Sequence, residues 1–389
     1  MKWTWPLGRI AGIKLQVHAT FLLLVAWVAW LYYEQDPTLA SVGYGLLFLA
    51  AVFAIIVVHE LSHSLTARAF GVEVSSITLL PIGGVSKMES MPERPWQEFL
   101  VAVAGPAVNV VLAGVLFTWL ALSWGVEALF RPEVLGGGGA FLATMVWVNV
   151  ALAVFNLLPA FPMDGGRALR ALLATGTDRA TATRLAAYVG KGFALLFGIA
   201  GLFLNPFLVL IAVFVWLGAS GEAELEQLRY QMRGLRVRSA MNTEFQVVSP
   251  DDPLERPAEL LLSGFQHDFP VVQGAEVVGM LTHKDLLRAL AERGRGGRVG
   301  QAMHHGVRAV HPDERLFDVF SNLQRGDCRS LPVVEAGRPV GVVTLEGIGE
   351  LLMIHSALRA EPRASQPPPF PPEEDRVLVE SARGREDEV

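Results

Sequence analysis

The amino-acid sequence predicts a polytopic α-helical membrane protein with a small membrane-associated β-hairpin or sheet, followed by a soluble α/β module. Three observations support this fold class. Only 18% of the 389 residues are charged and mean hydropathy is +0.39, whereas soluble proteins usually contain about 25% charged residues. Nearly all of the long apolar runs lie in the first 220 residues. The sequence beyond them matches itself at an offset of 62 residues.

Six candidate membrane spans are predicted, because about 20 apolar residues are needed to cross a bilayer. They cover residues 18–33, 42–68, 97–124, 139–158, 185–204 and 206–220. The last two are short and are separated by Asn205-Pro206, which favours a tight hairpin. Lys and Arg residues concentrate before the first span and after spans two, four and six. Since cytoplasmic loops are enriched in these residues, we expect a multi-pass protein of the cell membrane with both termini in the cytoplasm.

Two segments of the membrane part are predicted to be β-structure. Residues 13–18, IKLQVH, alternate apolar and polar side chains as a half-buried strand does. Residues 72–88 form a predicted hairpin, with Pro81 and Gly83-Gly84 as turn residues. Because open sheet edges cannot face lipid, this hairpin either lies beside the membrane or lines a cavity within the protein.

The second predicted span contains the sequence HELSH at residues 59–63. Ionisable side chains at membrane depth are costly and by default indicate function. His59 and His63 lie on one helix face, where two neutral imidazoles can hold one zinc ion, and Glu60 can act on a water at the metal. Alternatively the histidines are packing residues, but their spacing and the adjoining glutamate argue against that.

A catalytic zinc site needs a third protein ligand, and Asp164 is the best candidate. Pro159, Pro162 and Gly165-Gly166 break the fourth span near its predicted cytoplasmic end. Broken helices at membrane depth are tolerated where they are buried or line a polar cavity. The predicted topology puts Asp164 at the same depth as His63. Its alternative role is to cap the helix that follows.

These segments resemble motifs of the site-2 protease family (peptidase family M50) of intramembrane zinc metalloproteases. The resemblance covers roughly residues 1–220 and also includes GPAVN at 105–109. It implies one zinc ion per chain, with Glu60 as the catalytic acid/base and three metal ligands: His59, His63 and Asp164. It further implies that Asn156 lies close to the site, and we hypothesise that this residue binds substrate or an oxyanion.

The resemblance also implies the kind of substrate, a transmembrane segment of another protein in the same bilayer. Such a helix must unwind before cleavage, and a strand edge within residues 72–88 could hold it by β-addition. Family members release membrane-held transcription factors, anti-sigma factors or pro-sigma factors, which makes regulated intramembrane proteolysis the expected function. Two other functions stay open, a regulated transporter or channel and a non-catalytic membrane scaffold.

The soluble repeat resembles a tandem pair of CBS domains. FPVV at 269–272 aligns with LPVV at 331–334, and Thr282 aligns with Thr344. Each unit is predicted to run strand, helix, strand, strand, helix. The resemblance implies an adenine nucleotide as ligand, with Thr282 and Asp285 contacting its ribose, whereas Gly347 stands where the second unit would need Asp. The alternative is a structural pair that forms a homodimer.

The predicted organisation has five parts. They are a metalloprotease domain (1–221), a linker helix (222–237), two CBS domains (238–297 and 298–360) and a disordered Pro-rich, charged tail (361–389). The net charge of −6 gives no indication of a nucleic-acid surface. The single cysteine, Cys328, excludes an intrachain disulfide framework. His18 lies at the start of the first span. It either acts as a gate or supports a metal ligand, or it is an interfacial histidine with a backbone partner.

Overall fold

The structure is a computed structural model that describes residues 3–88, 92, 94–130, 137–264, 266–326 and 328–359. The chain divides into two compact units, Met1–Leu228 and Arg229–Val389, which are described separately below. The tail predicted to be disordered, 361–389, lies outside the described residues. The five predicted domain boundaries stay a prediction.

The described part of the first unit is mainly helical. Its α-helices are α1 Phe21–Gln35, α2 Leu39–Ala69, α3 Pro95–Trp124, α4 Gly137–Leu157, α5 Asp164–Leu173, α6 Arg179–Phe203 and α7 Phe207–Gln231. Helices α2, α3, α4, α6 and α7 are long and apolar enough to cross a membrane, so the polytopic fold class is confirmed.

The first candidate span, 18–33, corresponds to a helix of nearly the predicted length. Helix α1 has 15 residues and therefore rises about 22 Å, less than the roughly 30 Å of a hydrocarbon core. It ends before Asp36-Pro37, because the helical conformation is disfavoured for a residue that precedes proline. Five of the six candidate spans are thus helices long enough to cross a membrane, and α1 is a shorter apolar helix.

The last two predicted spans are longer than expected, at 25 residues each. Helix α6 begins at Arg179 because the Asp178 carboxylate caps it, accepting a hydrogen bond from the Thr181 N–H at 3.0 Å. Helix α7 continues through a charged stretch to Gln231. A span predicted from hydropathy ends where charged residues begin. The helix itself continues, because its backbone hydrogen bonds do not depend on apolar side chains.

A four-stranded sheet accompanies the helices in the order β1-β2-β3-β4. Its strands are β1 Thr4–Ile10, β2 Ile13–His18, β3 Val74–Leu80 and β4 Gly83–Met88. Strands β2 and β3 pair in parallel, and the two other pairs are antiparallel. The predicted strand and hairpin are confirmed. The prediction of Gly83-Gly84 as turn residues is wrong, because both glycines pair with β3 as the first residues of β4, and the turn consists of Pro81 and Ile82. The sequence did not indicate β1, because Pro6 and Gly8 interrupt its pattern at a bulge.

Chain direction changes sharply between α4 and α5. The loop before α5 lies so close to its first turn that a Cβ on Gly165 would come within 2.3 Å of the Leu158 carbonyl oxygen. A Cβ on Gly166 would lie 2.6 Å from the Ala160 carbonyl carbon. Because no larger residue fits at either position, the two glycines allow the broken span to fold back on itself.

The second unit contains the predicted repeat. Isolated parallel bridges join Val248 to Val271 and Val310 to Val333, the same pair at an offset of 62 residues. The first predicted strand of each repeat is therefore reduced to a bridge. The elements are α8 Glu255–Ser263, β5 Phe269–Gln273, β6 Glu276–Leu281, α9 His283–Arg293, β7 His304–His305, α10 Leu316–Arg325, β8 Ser330–Glu335, β9 Arg338–Thr344 and α11 Leu345–Arg359.

Each repeat has its own apolar core. Phe269, Leu281 and Leu286 are fully buried in the first repeat, and Leu316 and Val333 are fully buried in the second. Both cores place a helix against a hairpin.

We predict that Leu286→Ala destabilises the first repeat by about 2–5 kcal/mol, because it leaves a cavity in a fully buried core. Leu287→Ala is the matched control, since Leu287 is 52% exposed. Hydrogen–deuterium exchange of β5 and β6 in the full-length protein measures the effect. Equal protection in both variants would contradict the core position of Leu286.

Candidate metal centre

Helix α2 carries two buried histidines within an apolar span. His59 and His63 are each 6% exposed, and their Nε2 atoms lie 3.1 Å apart. Because four residues make about one helical turn, both rings leave the same side of α2. The two imidazoles therefore point into one small volume inside the first unit.

Asp164 completes a three-residue cluster with these histidines. Its Oδ2 atom lies 3.2 Å from His59 Nε2 and 3.0 Å from His63 Nε2. The carboxylate is buried as well, at 8% exposure. The break after α4 allows this contact, since Asp164 is the first residue of a new helix rather than an internal position of a continuous span.

A hydrogen bond to the backbone determines the tautomer of His63. Its Nδ1 lies 2.6 Å from the Val101 carbonyl oxygen, which can only accept, so Nδ1 carries a proton and donates. In the neutral ring, Nε2 then carries no proton, and its lone pair faces the Asp164 carboxylate. Two acceptors this close repel each other unless a proton or a metal ion lies between them.

The three atoms fit a zinc ion. Zinc binds His nitrogen and carboxylate oxygen at about 2.0–2.2 Å, so tetrahedral ligands lie roughly 3.3–3.5 Å apart. The observed separations of 3.0–3.2 Å are close to that range. Three protein ligands would leave the fourth position open, as catalytic zinc sites do.

Helix α3 packs directly over the histidines at Gly105. A Cβ at this position would lie 2.2 Å from His63 Nε2 and 2.6 Å from His59 Nε2. Glycine is therefore required for the helices to approach this closely. Val101 lies one turn earlier on α3, so it is on the same face of the helix as Gly105. This face orients His63 through the Val101 carbonyl and covers both histidine rings at Gly105.

Glu60 lies beside the cluster and under strand β4. Its Oε2 accepts a hydrogen bond from the Ser86 hydroxyl at 2.5 Å, and Ser64 donates to Ser86 Oγ at 3.2 Å. A Cβ on Gly84 would come within 2.6 Å of Glu60 Cγ. Gly84 and Ser86 are two residues apart, so one face of β4 covers this carboxylate.

Comparison with known proteins identifies the family to which the chain belongs. The family model described as peptidase family M50 matches residues 47–199. A zinc metalloprotease of Methanocaldococcus jannaschii is 30% identical over 345 residues, which cover 88% of this chain and 94% of that protein. The chain belongs to peptidase family M50. It is thus a zinc metalloprotease of the site-2 protease family and a multi-pass membrane protein.

Further similarities cover either most of the chain or one part of it. A zinc-metalloprotease relative from Synechocystis sp. is 31% identical, with 90% of this chain and 96% of that protein covered. The solved structure of a site-2 protease from M. jannaschii is 33% identical and covers 57% of this chain and 95% of its own, with a TM-score of 0.41. CBS domain models match residues 237–292 and 299–353, so the tandem CBS pair is also confirmed.

Other residues singled out in the sequence lie apart from the three-atom cluster or have local partners. Asn156 donates through Nδ2 to the Leu152 carbonyl of its own helix at 3.0 Å, and its role in substrate binding stays a prediction. His18 Nδ1 lies 2.8 Å from the Thr20 hydroxyl oxygen and accepts from the Thr20 N–H at 3.3 Å, so both of these partners are local and its role stays a prediction.

The nucleotide-contact candidates are joined to each other. The Thr282 hydroxyl donates to the Asp285 carboxylate, and Thr282 also caps α9 by accepting from the Asp285 N–H at 3.2 Å. His304 Nε2 lies 2.8 Å from Asp285 Oδ2. In the second repeat, Thr344 accepts from the Gly347 N–H at 2.9 Å in the same way. Helix capping thus accounts for the shared threonine, whether or not a ligand binds.

Several residues around the site escaped the sequence analysis. Ser86 and the Val101 carbonyl act only through contacts between distant segments, so no local pattern identifies them. Gly105 was part of the GPAVN motif, but its contact with the histidines was not predicted. Asn109 belongs to the GPAVN motif and is fully buried one turn after Gly105. Among the described residues its amide has no hydrogen-bond partner, which is costly within an apolar bundle. Asn109, a polar residue on the same helix face as Gly105, was the feature of the sequence that could have indicated a functional role for this face of α3.

We predict that Gly105→Ala abolishes or strongly reduces zinc binding, because the added methyl group occupies the space of the histidine nitrogens. Gly114→Ala on the same helix is the control, since a Cβ there meets nothing within 4 Å. Zinc content of the purified proteins, measured by atomic absorption, distinguishes them. Full zinc occupancy in Gly105→Ala would exclude the proposed packing.

Proposed function

We propose that this protease cleaves a transmembrane segment of another membrane protein and thereby carries out regulated intramembrane proteolysis. The observation that carries the proposal is the buried cluster of two histidines and one aspartate among helices able to span a membrane, with Glu60 beside it. A soluble substrate would have no access to a site enclosed in this way, whereas a segment within the bilayer would.

The metal ligands of the proposed site are His59, His63 and Asp164, with one zinc ion per chain. Bound zinc would lower the pKa of a water to about 7 and polarise the scissile carbonyl. The chain's own residues supply the geometry: the Val101 carbonyl orients His63, and the fold-back before α5 holds Asp164 opposite it.

Glu60 is the proposed general base and acid. It accepts a proton from the attacking water as the C–O bond forms, and it donates this proton to the amide nitrogen as the C–N bond breaks. The Ser86 hydroxyl holds the carboxylate in a defined orientation. Ser86 lies on β4, so the base is positioned by the same strand that a substrate would approach.

We propose that the substrate adds as a strand to the edge of β4. Among the described residues, this strand pairs with β3 on one side and ends the sheet on the other. An unsatisfied backbone edge readily accepts another strand. Because Gly84 and Ser86 both contact Glu60, a segment added there runs beside the catalytic carboxylate. The backbone of a helical substrate is already hydrogen-bonded, so it must unwind first.

The proposed orientation has both termini in the cytoplasm, supported by the distribution of Lys and Arg. The scissile bond would then lie towards the cytoplasmic side, where cleavage releases a soluble fragment. A membrane-held transcription factor, anti-sigma factor or pro-sigma factor is the proposed class of client. A transporter or scaffold would not require three metal-ligating groups together with a carboxylate on the adjoining face.

We predict that Glu60→Gln abolishes cleavage but retains zinc, because Gln cannot accept the proton yet leaves all three ligands intact. Comparing the membrane proteomes of cells with intact and Glu60→Gln protein identifies substrates as spans that accumulate uncut. Glu73→Gln, at an exposed position before β3, is the matched control. Undiminished cleavage by Glu60→Gln would refute the role of this carboxylate.

We further propose that an adenine nucleotide binds the CBS pair and modulates proteolysis. A cavity of about 280 Å³ adjoins α9 and is lined by both acidic and basic side chains. Asp285 could accept from ribose hydroxyls, while Arg288 and Arg293 could meet phosphate oxygens. A homodimer through the CBS pair is the alternative role for this module.

We predict that Asp285→Asn weakens nucleotide binding about tenfold or more, since a hydrogen bond to a charged group contributes roughly 1.5–3 kcal/mol. Titrating ATP, ADP and AMP into the full-length protein by calorimetry measures this. Glu346→Gln, an exposed position in the second repeat, is the control. If the intact protein binds none of the three, the dimerising role is favoured instead.

A further inference from the structure

Arg170 is a buried cation on the helix that begins with Asp164. Its side chain is 2% exposed. It donates from Nε to Glu98 Oε1 at 2.7 Å and from Nη1 to Glu222 Oε1 at 2.5 Å. Its guanidinium also lies 5.3 Å from the ring centre of Phe161, in the loop that leads to Asp164. Arg170 therefore contacts α3, α7 and the loop before α5 at once.

The partner Glu98 lies on the face of α3 that covers the histidines. Glu98, Val101 and Gly105 follow at intervals of three and four residues, so they share one side of the helix. Along this side α3 pairs with Arg170, accepts from His63 and packs over both imidazoles. The Glu98–Arg170 contact thus sets the register between the helix over the histidines and the helix that carries Asp164.

Helix α7 contacts the Asp164 segment at two successive turns. A Cβ on Gly218 would lie 2.5 Å from Pro162 Cδ, so α7 packs tightly against the loop two residues before Asp164. One turn later Glu222 pairs with Arg170, and a further turn on Glu226 lies 3.3 Å from Arg179 Nε. One face of α7 therefore supports both the loop and the helix that hold Asp164.

We propose that Arg170 is a positioning residue for Asp164 and that α7, through Gly218 and Glu222, controls how firmly Asp164 is held against the histidines. A buried ion pair is often replaceable by apolar residues without loss of stability. The Glu98–Arg170 pair instead serves to position two helices. It joins α3, which packs against the histidines, to α5, which begins with Asp164. The position of α7 then governs the metal affinity of the site.

This inference rests on the metal ligands of the proposed function, so its test measures zinc retention rather than proteolysis. Glu222→Gln is the main variant, since the side chain of Glu222 is 30% exposed and tolerates a neutral replacement. Glu224→Gln is its control on an exposed part of the same helix. Gly218→Ala is a second variant, with Gly221→Ala as control, because a Cβ at 221 meets nothing within 4 Å.

Zinc retention is measured on the full-length protein by competition with a chelator, and thermal unfolding is measured on the metal-free form. We expect Glu222→Gln and Gly218→Ala to lose zinc at about 3- to 30-fold lower chelator concentration, with both controls unchanged. The metal-free Glu222→Gln protein should unfold close to the temperature of the unaltered protein. Arg170→Lys should retain part of the zinc affinity, because it keeps the charge but not the two-sided hydrogen bonding.

Unchanged zinc retention in Glu222→Gln and Gly218→Ala would overturn the proposal and leave Arg170 with a purely structural role. An equal loss of stability in the metal-free and zinc-bound forms would have the same meaning. If instead all variants and the unaltered protein fail to bind zinc, the proposed metal site itself is wrong. The failures of the two proposals can therefore be told apart.

Discussion

The close approach of α2 and α3 at Gly105 is the constraint on which the membrane unit depends. Without a side chain at this position, the backbone of α3 reaches the histidine rings, and the Val101 carbonyl can accept from His63. A larger residue would separate the helices and leave the imidazoles without this support. The register that follows also places Glu98 where it meets Arg170, so the packing at one glycine determines a polar connection two turns away.

The sequence revealed the polar residues of the site but not what holds them. Asp164 could be found because few acidic residues lie within or beside the spans and because prolines and glycines break the span around it. The roles of Ser86 and Arg170 depend on segments 26 and 72 residues away, respectively, and such contacts leave no periodic pattern. Arg170 was visible only as one more basic residue of a loop expected to be cytoplasmic.

The ends of the helices and strands were also only partly predictable, because some depend on local hydropathy and others on backbone geometry. The apolar length of α2 or α3 predicted a span directly, since hydropathy measures what the bilayer selects. The end of α1 at Asp36-Pro37 and the extension of α7 through charged residues depend on backbone geometry rather than hydropathy. In the second unit, the 62-residue offset predicted the repeat correctly because both repeats keep the same buried positions. The first strand of each repeat was overestimated, since a single bridge has the same apolar pattern as a short strand.

The residues of α7 that contact the Asp164 segment or α6, namely Gly218, Glu222 and Glu226, all belong to the first compact unit. The same helix continues to Gln231, past the boundary at Leu228. One helix is therefore shared by the two units and forms the covalent connection between them. A different domain fused after Gln231 would be attached to the same helix that packs against the loop before Asp164. Exchanging the domain beyond α7 would thus leave every one of these three contacts in place.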